Sequence, residues 1–357
     1  MGPAVAVIDR LVERVLHGDV PLERVAVERA VGTLLADEAP LAAPGVAVAV
    51  ADALVGLGPL EPLLADTSIS DILVNADGSV WIERRGSLDA CPIRFVGAGQ
   101  VIAAVERVIA PLGLRLDRAS PAVDARLPDG SRLHAIIPPA SVDGPVVAIR
   151  RFTAAVPDLD ALVAAGSTDE EAARLLRTAV QERRNLLVSG GTGSGKTTLL
   201  NILAGEVPNG ERVVVIEDSA EIQAAGHMVR LEARPPNAEG AGEITLRTLV
   251  RHALRLRPDR IIIGEVRGAE ALDMIQAINT GHAGSMSTVH ANGPDEAMWR
   301  LETLAMSGRG GLAAETIRRQ LWGALDIIVQ LERSQGHRRI VSISEVADGA
   351  LLVRWTS

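Results

Sequence analysis

The stretch SGGTGSGKTTLL, Ser189 to Leu200, sets Lys196, Thr197 and Thr198 directly behind a segment in which half of the first eight residues are glycine. Gly190, four residues, then Gly195-Lys196-Thr197 is a spacing at which backbone and side chains together can hold a polyphosphate. Gly190, Gly191, Gly193 and Gly195, interleaved only with Thr192 and Ser194, allow backbone N–H groups to turn inward with no Cβ in the way. Lys196 can then reach the β and γ phosphates and Thr197 can offer its hydroxyl to Mg2+. The start of the following helix adds its partial positive charge. The bland alternative, a flexible Gly/Ser loop, does not require the apolar run NLLV before it or the helical pattern KTTLLNILAGEV after it. The expected ligand is a nucleotide polyphosphate with Mg2+.

Carboxylates gather at the ends of two further apolar runs. RVVVIEDSAEI closes on Glu217, Asp218 and Glu221, and ligands of open α/β sheets bind at such strand ends. Glu217 and Asp218 are therefore candidates to position Mg2+ through water or to orient a nucleophile, although capping of a helix could account for Asp218 alone. RPDRIIIGEVRG ends in Gly264 and Glu265, and a glutamate there can polarise an attacking water, which makes Glu265 the expected catalytic base. In NTGHAGSMSTVHAN, His282 and His290 bracket a run of small and hydroxyl residues. Two close histidines suggest a metal, but no third ligand follows at a familiar spacing. They are read instead as sensing the γ-phosphate or bridging sheet and nucleotide.

Such residues need strands to carry them. NLLVS, RVVVIE, RIIIGE, GSMSTVH and DIIVQLE are nearly unbroken apolar runs separated by helical patterns, as expected of strands covered on both faces of a parallel sheet. This α/β region runs from 167 to 357, and Ser167 with Glu170 three residues later is expected to cap its first helix. Upstream, residues 56–151 read as a smaller α+β domain. It has hairpins turning at Asp77-Gly78 and at Pro128-Asp129-Gly130, a strand in PVVAIRRF, and a helix in Gly99 to Leu114. Residues 1–55 form a helical leader, and 152–166 a linker with a helical turn or two.

Composition narrows the class. A chain of 357 residues with 47% hydrophobic content can bury the cores of two domains. A net charge of −9, with 2% aromatic residues, argues against nucleic acid as the partner, since it offers neither a positive field nor stacking platforms. Cys91 is the single cysteine, which excludes an internal disulfide and a multi-thiolate zinc site and suits a reducing compartment. The N-terminus carries charges throughout, with no apolar core of signal-peptide length. The apolar region 39–65 is broken by Asp52, Glu61 and four prolines. The expected location is the cytoplasm.

In order, GGTGSGKTT, VVVIEDSAEI, RIIIGEVRG and TGHAGSMSTVHAN resemble the Walker A, Asp box, Walker B and His box of the type II/type IV secretion ATPase superfamily. GLGPLEPLLADTSISDILVN, ARLPDGSRLHAIIPP and the wording of the His box resemble its tight-adherence (Flp) pilus branch, known as TadA or CpaF. The likeness covers about Gly56 to Val346. It implies a RecA-like motor domain behind a smaller N-terminal domain, ATP hydrolysis with Mg2+, and a homo-hexameric ring peripheral to the inner membrane. There the ring would act on a platform protein of a pilus or secretion machine. It also implies that N-terminal arginines approach the phosphates of a neighbouring subunit. Arg126, Arg132, Arg150 and Arg151 are available, and Arg132 and Arg150 are the ones expected to do so. WIERRGSL departs from the usual pattern, and no role is drawn for Arg84 or Arg85. A conjugation-type nucleic-acid transfer ATPase and a nucleotide-gated scaffold with little turnover stand as alternatives.

Overall fold

Strands that alternate buried and exposed residues occupy the first of two units, Met1–Ala154, and strands buried along their whole length dominate the second, Ala155–Ser357. The computed structural model describes residues 3–21, 23–38, 45–84, 86–151, 156–223, 225–236, 240–308, 312–334, 336–347 and 349–357.

In the first unit, α1 (Pro3–Leu16), α2 (Arg24–Glu38) and α3 (Val46–Val55) share an apolar cluster that includes Leu11, Val15, Val27, Val31 and Val50. After the short α4 (Glu61–Ala65) come β1 (Ile69–Val74), β2 (Ser79–Arg84), β3 (Ser87–Arg94), α5 (Ala98–Ile109), β4 (Ala122–Arg126), β5 (Arg132–Ile136) and β6 (Val146–Arg150). The strands form one antiparallel sheet in the order β3-β2-β1-β6-β5-β4. Both expected hairpins form. Asp77 and Asp129 each accept the backbone N–H two residues on, at 3.0 and 2.9 Å, and Gly78 and Gly130 take the positive φ that the turns require. The helix expected to reach Leu114 ends at Ile109, because Pro111 follows and cannot donate to a further turn. Arg84 pairs with Asp66 at 2.7 Å, and Arg85 lies outside the described residues.

The second unit contains α6 (Leu159–Ala164), α7 (Glu170–Gln181), β7 (Leu186–Gly190), α8 (Lys196–Gly205), β8 (Val213–Glu217), β9 (Met228–Glu232), α9 (Leu246–Ala253), β10 (Arg260–Ile263), α10 (Glu270–Asn279), β11 (Met286–His290), α11 (Pro294–Met306), α12 (Ala314–Ala324), β12 (Ile327–Ser334), β13 (His337–Ala347) and β14 (Ala350–Thr356). Its sheet runs β14-β13-β12-β7-β11-β10-β8-β9. From β12 to β9 all neighbours are parallel, and β13 and β14 continue the β12 edge as an antiparallel meander. Alternate residues of each strand feed two apolar layers, Leu187 on one side with α9 to α12, and Leu186 and Val188 on the other with α6 to α8. The apolar runs are unbroken for this reason.

Of the expected linker, residues 152–155 lie outside the described residues, whereas Leu159 of α6 is fully buried in the core of this unit. The cap of α7 differs from expectation. Asp169, adjacent to the first turn, accepts from Ala172 N at 2.8 Å, while the Ser167 carbonyl is engaged by Ile340 N. A carboxylate one position before the helix satisfies the same N–H groups and also answers the helix dipole. No described helix is long and apolar enough to cross a membrane.

One buried ion pair ties the sheet to its helices. Arg260 opens β10 with a side chain at 0% exposure. It donates to Glu211 at 2.7 and 3.0 Å and to the Val180 carbonyl at 2.7 Å. Removing one partner strands a charge in the core, so Glu211→Ala is expected to lower the stability of the second unit by about 3 kcal/mol in urea unfolding. A loss below about 1 kcal/mol, the range of exposed pairs, would show that the pair is not a structural tie.

Candidate nucleotide-binding site

Four adjacent parallel strands end at one edge of the second unit's sheet. The glycine loop follows β7, Glu217 closes β8, Glu265 stands two residues beyond β10, and His290 closes β11. Register fixes their neighbours: Gly190 pairs with His290, and Ile263 with both Ser287 and Ile216. The sequence could therefore scatter these residues over a hundred positions and still bring them to one rim.

The loop is built for backbone contact. Gly193 and Gly195 have φ of 70° and 98°, and a Cβ on Gly190 would stand 2.5 Å from Ser194 Oγ and 2.7 Å from the Leu331 carbonyl. The Ser194 hydroxyl is buried without a partner among the described residues. Thr192 is exposed, while Thr197 and Thr198 are half-buried in the first turn of α8. Lys196, 7% exposed, donates to the carbonyls of Gly190 and Gly191 at 3.1 and 2.8 Å and contacts Nδ1 of His290 at 3.3 Å. Burial holds its pKa below the usual lysine value, partly offset by Glu265.

A relay runs from that lysine. An ammonium only donates, so Nδ1 of His290 accepts, and its Nε2–H is left to donate to Glu265 Oε1 at 3.1 Å. Burial, with Lys196 adjacent, lowers the His290 pKa and favours the neutral ring that this relay needs. Glu265 Oε2 accepts from Arg267 at 2.7 Å, and Arg267 also reaches Asp218 at 3.5 Å. Burial alone would raise the Glu265 pKa, but Arg267, His290 and Lys196 together outweigh it and keep the carboxylate ionised. The sequence motifs contain Arg267 but give no hint of its contact; only the fold turns it back on Glu265.

Not every expected residue joins this group. Glu217 is almost fully buried and accepts from the backbone N–H groups of Glu221 and Ile222 at 3.0 and 3.1 Å, so it holds the loop after β8. His282 lies at the opposite end of β11 from His290, where its Nδ1 meets the Ala277 carbonyl at 3.0 Å. The first unit carries Arg126, Arg132 and Arg150 on a single rung of its sheet, with Asp71 next in line. Arg150 pairs with Asp71 at 3.2 Å. Arg151 is committed to the backbone carbonyls of Asp66 and Ile69, and Arg132 makes no ion pair with a described residue.

Beside the loop a cleft is lined by the apolar Val156, Leu162, Leu199, Leu331 and Ile340 together with Ser167, Ser194, Gly195, Thr198, Arg338 and Arg339. It adjoins the start of α8 and combines apolar walls with a few polar groups, as small-molecule sites do. Among the described residues no cluster of three or more His, Cys, Asp or Glu could hold a metal by itself. One hydroxyl and dispersed carboxylates suit Mg2+ arriving with phosphates, because that ion is commonly held by substrate oxygens and few protein ligands.

The sequence pattern of the type II/IV secretion system protein family matches residues 53–344. Similar proteins include one from Mycobacterium tuberculosis named for conjugal transfer, 44% identical over 80% of this chain and 83% of its own length. The conjugal transfer protein TrbB of Rhizobium radiobacter is 37% identical over 79% and 85%. The type IV secretion system protein PtlH homolog of Bordetella bronchiseptica is 34% identical over 80% and 92%. Among solved structures, the pilus retraction motor PilT with bound ADP aligns at TM-score 0.58 and 19% identity over 84% of this chain and 83% of that one. The ATPase DotB of Legionella pneumophila aligns at 0.57 and 19% over 81% and 80%. The fold is thus the RecA-like one of secretion ATPases. None of the three relatives described here is named for the TadA/CpaF branch.

The buried Glu217 has a measurable consequence. Burial pushes its pKa from 4.5 to about 7, against the two N–H groups that favour its charged form. Between those values the folded chain keeps a proton that the unfolded chain has lost, so stability falls as pH rises, by up to about 1.4 kcal/mol per pH unit. Glu217→Gln should remove that slope. Urea unfolding between about pH 5 and 7 tests it: the wild type should lose ground to the variant with rising pH, and parallel curves would mean that Glu217 is ionised throughout.

Proposed function

The chain belongs to the type II/IV secretion system protein family, and from that premise we propose that it is a Mg2+-dependent ATPase whose ring drives a pilus or secretion machine at the cytoplasmic face of the inner membrane. The single observation that carries the catalytic part is the Lys196–His290–Glu265 relay at the rim of the glycine loop.

The loop N–H groups, the Ser194 hydroxyl and the helix start hold the phosphates, and the cleft receives the base. Thr197 would hold Mg2+, with Asp218 acting through water, and the ion would supply charge neutralisation at the phosphates. Lys196 must leave the carbonyls of Gly190 and Gly191 to meet the phosphates. That departure takes its donor from His290 Nδ1 and loosens the hold on Glu265, so the γ-phosphate is sensed through one imidazole. Glu265, ionised and freed of His290 or Arg267, orients the attacking water and accepts its proton.

Arg132 and Arg150 are the trans residues in this reading. Like charges side by side on a sheet repel, so Arg132 and Arg150, adjacent on one rung, favour an incoming anion. Such a residue stabilises charge on the transferred phosphoryl group and can contribute roughly 10³ to 10⁵ in rate. A homo-hexamer would supply it from the neighbouring first unit, and turnover would move the two units across residues 152–166 and so a membrane platform protein. The tight-adherence pilus machine is the finer reading, on the wording of the motifs. A conjugation-type transfer machine is the second reading, favoured by the two relatives named for conjugal transfer.

Phosphate release from Mg-ATP tests the scheme. Specific activity should rise with protein concentration and fall by about a hundredfold or more in Glu265→Gln with nucleotide binding kept. Arg132→Ala and Lys196→Ala should each be inactive alone and recover activity when mixed, since a ring then contains some intact interfaces. Absence of recovery in rings shown to mix would defeat the trans arrangement. Stimulation by DNA that salt abolishes would favour the conjugation reading over the pilus one.

A further inference from the structure

The β12–β13 hairpin brings two more arginines to the loop. β12 pairs with β7 as far as Leu331 opposite Gly190, so Arg333, two residues further along, lies past the end of β7 where the loop begins. Arg338 is its cross-hairpin partner, Arg333↔Arg338. A Cβ built on Gly193 would lie 3.2 Å from Arg333 Nη1, and one on Gly195 would lie 3.5 Å from Arg338 Cδ. Both side chains are exposed, and neither makes a hydrogen bond or ion pair with a described residue.

Their state contrasts with that of the other cations of the site. Lys196 is engaged by carbonyls and His290, and Arg267 by Glu265 and Asp218. Two like charges on one rung repel, which favours an anion between them. The anion nearest at hand is whatever the glycine loop binds. Arg338 also lines the cleft with Ser194, Gly195, Thr198 and Leu199, and β12 stands on the opposite side of β7 from β10, the strand that leads to Glu265. The geometry points to Arg333 and Arg338 as a clamp supplied by the same subunit, closing over the diphosphate that ATP and ADP share. The inference rests on the nucleotide reading above and adds to it where on the nucleotide the hairpin acts and at which step.

A contact to the shared diphosphate binds substrate and product alike. It lowers KM without lowering the barrier and slows ADP release. The clamp is thereby distinguishable from a trans arginine, whose loss lowers kcat. Guanidinium forks match phosphate oxygens in pairs, so lysine restores charge without the second hydrogen bond.

The test is competition of ADP, ATP and adenosine against a fluorescent ADP analogue, on the full chain with Mg2+, for wild type, Arg333→Ala/Arg338→Ala and Arg333→Lys/Arg338→Lys. The alanine pair should weaken ADP and ATP alike by about tenfold or more, and the lysine pair by less, with adenosine affinity unchanged. KM for ATP should rise in the alanine pair, and a fall in kcat with KM kept would overturn the clamp. Exposed hairpin side chains leave the fold intact, and the lysine pair guards against a folding defect in the alanine pair. Wild-type affinity for ADP in the alanine pair overturns the clamp while leaving the ATPase reading in place. Equal losses for adenosine and ADP overturn it in favour of a base contact. A wild-type chain that binds neither nucleotide overturns both readings.

Discussion

A lysine held nearly out of water is the constraint on which the site depends. Lys196 needs partners for its charge, and in the structure it takes the two loop carbonyls and one ring nitrogen. Those partners are uncharged, so they meet the ammonium through dipoles alone. The arrangement passes outward: His290, kept neutral, turns its N–H to Glu265, and Glu265 accepts from Arg267. One buried ammonium thus begins a chain of four connected side chains.

The parallel sheet makes this possible at little conformational cost. Each of β7, β8, β10 and β11 is buried along nearly its whole length, and the ionisable groups of the site stand at their carboxyl ends. The register then sets Gly190 beside His290 and, through Thr288 Oγ1 donating to the Gly264 carbonyl at 2.7 Å, anchors the approach to Glu265. Arg260 performs the opposite task at the amino end of β10, where a buried charge is permitted because Glu211 and the Val180 carbonyl meet it. At one end the charged groups are linked to one another at the rim, and at the other the charge is enclosed in the core for stability.

How much of this is legible in the sequence follows from the range of each signal. The loop, the strand ends and the hairpins are local patterns, and spacing alone carries them. The two histidines are local too, yet the eye reads the bracket as one cluster, whereas the strand between them extends about 3.3 Å per residue and sends them to opposite ends of the sheet. Glu217 shows the reverse error of emphasis: its position at a strand end is legible, but its direction depends on the N–H groups of Glu221 and Ile222, which form only once the loop folds back. The branch of the family is the least legible part, since motif wording reports the chemistry of the loop and not the machine it serves.

Arginine is the residue type for which local reading says least, and the contrast among these arginines is instructive. Arg151, Arg260 and Arg267 carry the same charge as Arg132, Arg333 and Arg338, but the first three have carbonyl or carboxylate partners supplied by the fold. A guanidinium that the fold satisfies is structural or held in check. One left without a partner among described residues, beside a like charge at the same register, keeps its binding capacity for something outside its own unit. The positions 333 and 338 lie about 140 residues from the loop they adjoin, and only the parallel pairing of β12 with β7 brings them there. Sequence separation therefore hides the hairpin arginines for the same reason that topology makes them effective: the strand that carries them is already fixed to the strand that carries the loop.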